Sequence, residues 1–94
     1  MMPTDERAYG MVEERGFTIN NTSRVESKLV CVVATDDKGI KLVYYPAIDE
    51  FQLSYKVDEL FTIFLGEAKE FSNVAYFYSC YTRLLKLIKD VSNI

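Results

Sequence analysis

Ninety-four residues, 49% apolar and 27% charged, make one domain with a single hydrophobic core and leave no room for a second. Eleven basic against fourteen acidic residues give a net charge of −3, which argues against a surface that grips phosphates throughout and leaves room only for a local basic face. Histidine is absent and the cysteines are two, Cys31 and Cys80, which excludes imidazole chemistry, a zinc cluster and a disulfide framework.

Both cysteines sit in apolar runs, where a free thiol is expected to behave as a small buried hydrophobe. No run approaches the length of a membrane span, and Asp5, Glu6 and Arg7 stand where a signal peptide would be apolar. The expectation is an intracellular protein, nuclear or cytoplasmic, without membrane contact. The sequons within Asn20-Asn21-Thr22-Ser23 are then ordinary polar loop.

In chain order, Thr4–Arg15 reads as a first helix, with Thr4 as N-cap, Asp5 and Glu6 at the positive end of the dipole, and Ala8, Met11, Val12 and Arg15 on one face. Gly16 stops it and lets Phe17 fold back on Val12. Phe17–Ile19 is a short strand, followed by a polar loop at Asn20–Arg24. Ser27–Asp36 gives a strong strand signal, continuously apolar over Leu29–Ala34 and therefore expected to be covered on both faces. Asp36-Asp37-Lys38-Gly39 turns the chain into a return strand at Ile40–Tyr45, ended by Pro46.

Residues 47–53 read as a connector. From Ser54 to Glu70 the positions of Val57, Leu60, Phe61, Phe64, Leu65 and Ala68 fit a helix with a wide apolar face. Asn73–Cys80 alternates Val74, Tyr76 and Tyr78 against Ala75, Phe77 and Ser79 and is read as a strand, with one helix over 71–92 as the alternative. Thr82–Val91 forms the last helix. The order of helix, three-strand meander, helix, strand and helix predicts a right-handed parallel crossover. The expected fold is thus a three-layer α/β/α domain over 1–94 with a small mixed sheet, of restriction-endonuclease-like type.

Nuclease chemistry on such a frame needs two carboxylates and a lysine around a metal. The sequence offers Glu26-Ser27-Lys28 without an acidic partner on a preceding strand, and Asp36-Asp37-Lys38 on a turn. The glycines at 10, 16, 39 and 66 are isolated, so no phosphate loop is present. A non-catalytic protein without metal or cofactor is expected. Arg83, Lys86 and Lys89 recur along the last helix, and Thr82 at its expected N-terminus adds backbone donors, which makes these four the candidate nucleic-acid contacts. Tyr45, Tyr76, Tyr78 and Tyr81 are the candidate protein contacts, since so small a core cannot bury every tyrosine.

The run Ser27–Asp37, followed by Val43-Tyr44-Tyr45-Pro46, resembles the N-terminal jaw domain of the fifth shared subunit of eukaryotic nuclear RNA polymerases. Glu14-Arg15-Gly16-Phe17 is similar to the end of that domain's opening helix, and Asn73–Tyr78 to a later strand, although Arg83 stands where the family has proline and the C-terminal assembly domain has no counterpart. The resemblance implies a non-catalytic, transcription-associated binding module. Its partners would be large polymerase subunits or another host protein, with weak DNA-backbone contact. A stand-alone protein-binding regulator, such as a virus- or mobile-element-encoded inhibitor, is the alternative reading, and a homodimer is open to either.

Overall fold

The computed structural model describes residues 3–93. They form helix α1 (Pro3–Glu14), strands β1 (Thr18–Val25), β2 (Lys28–Thr35) and β3 (Ile40–Tyr45), a 3-10 turn (Pro46–Ile48), strands β4 (Glu50–Asp58) and β5 (Phe61–Lys69), and helix α2 (Val74–Ser92). The five strands make one sheet in the order β1-β2-β3-β4-β5, and every neighbouring pair is antiparallel.

The opening helix ends as its sequence dictates. Gly16 takes φ +83°, the Phe17 N–H reaches back to Val12 O at 3.4 Å and the Gly16 N–H to Glu13 O at 3.0 Å, which satisfies two carbonyls the helix would leave unpaired. Thr4, expected as the N-cap, lies within the first turn of α1, and its side chain falls outside the described residues. The β2–β3 hairpin also forms as read. Asp36 Oδ1 accepts from the Lys38 and Ile40 N–H groups at 3.0 and 2.8 Å, and Gly39 supplies the positive φ that the turn requires.

Strand register decides which side chains meet. Ile19, Ala34, Leu42, Leu53 and Leu65 stand opposite one another across the sheet, and Val32, Tyr44, Phe51 and Ala68 form the next row. Both rows join Ala8 and Val12 of α1 and Phe77, Cys80 and Leu84 of α2 in a single core. The two helices therefore cover one face of the sheet. Thr35, Lys41, Ser54 and Phe64 make a row on the reverse face, where no helix of the described residues lies. The architecture is a two-layer α/β fold, and the expected three-layer, mixed-sheet, restriction-endonuclease-like arrangement is incorrect.

Each departure has a physical cause. The span 54–70 is a β-hairpin rather than a helix. Its apolar positions fit a 3.6 period, but Tyr55, Val57, Thr62, Ile63 and Phe64 are β-branched or aromatic. Asp58 Oδ1 accepts the Leu60 N–H at 2.8 Å and nucleates the turn between the strands. Alternation of Phe51, Leu53 and Tyr55 then continues a sheet already begun by β3. Residues 73–80, expected as a parallel strand, are the N-cap and first turns of α2, so no crossover exists among the described residues. Asn73 caps that helix by accepting the Tyr76 N–H at 3.1 Å, and the spacing of Phe77, Cys80, Tyr81 and Leu84 buries one helical stripe. The polar segment Asn20–Arg24 is strand, because an edge strand with one uncovered face needs few apolar residues. The run Leu29–Ala34 is covered on one face only: Val32 and Ala34 are buried while Cys31 and Val33 are partly exposed.

Glu26 and Ser27 join β1 to β2 with φ of +50° and +69°, a two-residue turn that suits Asn and Gly far better than these residues. The acid-x-lysine sequence at Glu26-Ser27-Lys28 is thus turn chemistry. Replacing Glu26→Asn together with Ser27→Gly is expected to raise stability by about 1 kcal/mol, read as a shift of the urea midpoint at unchanged m-value. A loss of stability would mean that these side chains make contacts worth more than the backbone strain.

Candidate functional site

The four expected nucleic-acid contacts all lie on α2 and all are exposed. Arg83, Lys86 and Lys89 wind across its outward side, and none of them forms an ion pair among the described residues. Thr82, however, is mid-helix. Its N–H lies inside the helical ladder rather than at a free N-terminus, so the expected phosphate-binding donors are not available there.

The four tyrosines separate into different environments. Tyr81 is half-buried, stacked with Phe77 and edge-on to Phe17, and its hydroxyl donates to Asp36 Oδ2. That bond fastens α2 to the β2–β3 turn, which makes Tyr81 a structural residue. Tyr45 lines a shallow apolar depression of about 310 Å³ with Val25, Leu29, Val30 and Ile48. Tyr76 and Tyr78 are exposed on α2. Tyr76 meets Phe51 edge-on, whereas Tyr78 meets Tyr81 on the side turned toward Phe17. The two sides of α2 are thereby distinguished. One faces α1 and the β2–β3 turn, and the other carries Tyr76, Arg83 and Leu87, spaced seven and four residues apart on a shoulder beside β4 and β5.

A second cavity of about 270 Å³ opens between α1 and the start of β4, lined by Arg7, Ala8, Met11, Tyr44, Pro46, Asp49 and Ser72. Its polar wall is already engaged. Asp49, at φ +53°, accepts from Tyr44 Oη at 3.3 Å, Ser72 N at 3.2 Å and Ser72 Oγ at 2.6 Å. Among the described residues no group of three or more acidic or cysteine side chains is placed to hold a metal ion. No helix among them is long and apolar enough to cross a membrane. Cys80 is buried, and partial burial raises the Cys31 thiol pKa above its ordinary value, which favours the unreactive thiol form at Cys31.

The feature that sequence reasoning missed is the β4–β5 hairpin. β5 has a strand neighbour on one side only. From Leu60 to Leu65 it carries no charge, and side chains on both of its faces are open to solvent: Leu60 is 97% exposed, Phe64 59% and Phe61 49%. Val57 at the base of the turn is also exposed, and the register of β3 with β4 ends at Tyr55, so the hairpin tip overhangs the rest of the sheet. Assigning 54–70 to a helix hid this edge, because that reading turned Leu60, Phe61 and Phe64 inward. A sequence signal was nonetheless present in the Asp-Glu-Leu turn between two β-prone runs.

Comparison of the chain with protein-family models, curated proteins and solved structures returned no match.

Two tyrosines tie the core to pH. Burial first, then the charge and hydrogen bond of Asp49, push the Tyr44 hydroxyl from its ordinary 10 up to about 12. Tyr81 is raised in the same direction by burial and by Asp36. A folded-state pKa above the unfolded value favours the neutral hydroxyl, so this stabilisation is complete below pH 10 and is lost as pH rises through the folded-state values. Thermal melts should therefore fall from about pH 10 upward. Tyr81→Phe, which removes one of the two groups, should flatten that decline. An unchanged slope would show that the Tyr81–Asp36 bond contributes nothing to alkaline unfolding.

Proposed function

We propose that this chain is a protein-binding module that docks through the β4–β5 hairpin and the α2 shoulder beside it. The observation that carries this reading is the contrast between the two edges of one sheet. β1 reads Thr-Ile-Asn-Asn-Thr-Ser-Arg-Val, with a register irregularity near each end and Arg24 tied to Asp5 at 2.7 Å, which is how a permanently wet edge is protected. β5 has neither charge nor proline over Leu60–Leu65, which is the composition of an edge that spends its working life covered. The stand-alone regulator is the form of this reading that the edge supports most directly.

A photo-reactive residue placed at Leu60 or at Phe64 is expected to give one dominant protein adduct in source cells, and the same residue at exposed Glu13 on α1 none. Leu60→Asp with Phe64→Lys should leave the melting temperature unchanged and weaken the association by roughly 30-fold or more, the scale of losing interface hot spots. Equal labelling from all three positions would overturn the proposal.

The exposed cations on α2 support a second reading, a transcription-associated module of the polymerase-jaw kind that touches DNA backbone weakly, although the fold that resemblance implied is absent. Replacing Arg83, Lys86 and Lys89 together by Glu should then weaken DNA association and lower its salt slope by about 2 to 3. A slope that does not move would make the stripe a solvated helix face.

A further inference from the structure

We infer that the occupant of the β5 edge is an extended segment of another protein, apolar at its centre and carrying lysine or arginine at both ends, added to the sheet as a sixth strand. This rests on the docking reading above and names the partner's chemistry.

Geometry supplies the first part. α2 packs against both β4 and β5, and Tyr76, which meets Phe51 edge-on, shares a helical stripe with Leu87, so the apolar side chains exposed on the core side nearest the free edge are Tyr76 and Leu87, at 40% and 39%. A strand paired to β5 would satisfy that edge's open backbone groups and alternate its side chains between this core side and the reverse face beside Phe64. Its inward residues must be apolar to lie over Leu87 and Tyr76.

Charge supplies the second part. The middle of the edge is neutral, and each end is net negative. At the tip Asp58 and Glu59 outnumber Lys56, and at the far end Glu50 and Glu70 outnumber Lys69. The ion pairs of Lys56 with Glu59 and Lys69 with Glu50, at 3.2 and 3.9 Å with both lysines mostly exposed, are too weak to withdraw those carboxylates from a partner. On the shoulder side of α2, Arg83 is followed seven residues on by Asp90, which offsets its charge along that side. A second copy of this chain fits poorly. Antiparallel self-pairing about Phe64 brings the net-negative tip of one copy to the net-negative far end of the other, and although Glu59 then falls opposite Lys69, Asp58 and Glu70 are left facing like charge at both ends. A strand with basic flanks has the opposite sign at each of these places.

The test uses the full chain and two fluorescent peptides, Arg-Lys-Val-Thr-Ile-Thr-Val-Lys-Arg and the same sequence with its four flanking cations replaced by glutamate. Anisotropy should show the basic-flanked peptide binding at least roughly tenfold more tightly at low salt, the preference shrinking as salt rises. Amide exchange should slow across Phe61–Leu65, which marks β5 as the strand that pairs. Glu59→Lys with Glu70→Lys, both exposed positions, should invert the preference between the two peptides. Equal binding of both peptides would overturn the charge assignment while leaving β5 as a docking edge. Binding of neither, with the chain sedimenting as a dimer and β5 amides protected, would overturn the proposal in favour of a second copy. Binding of neither by a monomer would overturn it outright, and the adducts at Leu60 and Phe64 would then judge the docking reading separately.

Discussion

Phe71 is the residue on which the arrangement of this fold depends. It stands where β5 ends and α2 is about to begin, fully buried, with its ring 4.2 Å from Tyr44 and between 5.3 and 5.4 Å from Phe51 and Phe77. Its backbone is held at both polar groups: the N–H donates to Asp49 O at 3.0 Å, and the carbonyl accepts from Arg15 Nη2 at 2.8 Å. The Arg15 guanidinium, buried and facing no carboxylate among the described residues, lies 4.5 Å over the Phe71 ring and also donates to Met11 O. A cation in such a place costs desolvation that only several simultaneous contacts can offset, here two carbonyls and two aromatic faces. Its Nε finds no partner, so the compensation is incomplete.

With that corner fixed, the rest of the layout has little freedom. Asp49 anchors the start of β4 to the start of α2, and Arg15 anchors the end of α1 to the same point. The second helix must then leave the sheet's end and return beneath β4 and β5, while α1 lies beneath β1 and β2. Both helices are spent on one face. The reverse face is left with the mixed row of Thr35, Lys41, Ser54 and Phe64, and β5 becomes a terminal strand with nothing beyond it. The open edge is therefore a consequence of the Phe71 corner rather than an independent feature.

How much of this could be read from the chain follows from how local each signal is. The α1 ending and the β2–β3 hairpin were legible because the bonds at Gly16, Asp36 and Gly39 span only three to five positions. The second half went wrong because periodicity there is degenerate. Leu60, Phe61, Phe64 and Leu65 fit a helical stripe as well as they fit two faces of a strand, and the aromatic run Val74–Tyr78 has strand composition in a helix. Tertiary contacts break both ties: pairing of Phe51, Leu53 and Tyr55 with β3 recruits the hairpin, and burial of Phe77 against Phe51 and Phe71 selects the helix. No local pattern announces such contacts. The basic stripe was legible as a set of residues, yet not the loss of Thr82 as a helix end, since that depended on where α2 begins.

Stability does not account for the composition of β5. A side chain 97% exposed, as Leu60 is, buries almost nothing, and in a solitary chain a polar residue there would fold equally well and dissolve better. The same holds for the outward face of Phe64, opposite Ser54 in a row that otherwise carries threonine and lysine. Two aromatic rings and a leucine at and beside the overhanging end of a free strand work against solubility when bare, and the sheet's other edge shows that this sequence can build a polar one. What would balance that liability is a state in which the edge is covered. In the proposed covered state the flanking carboxylates would serve twice, keeping bare edges apart through like-charge repulsion and drawing in a strand of opposite sign.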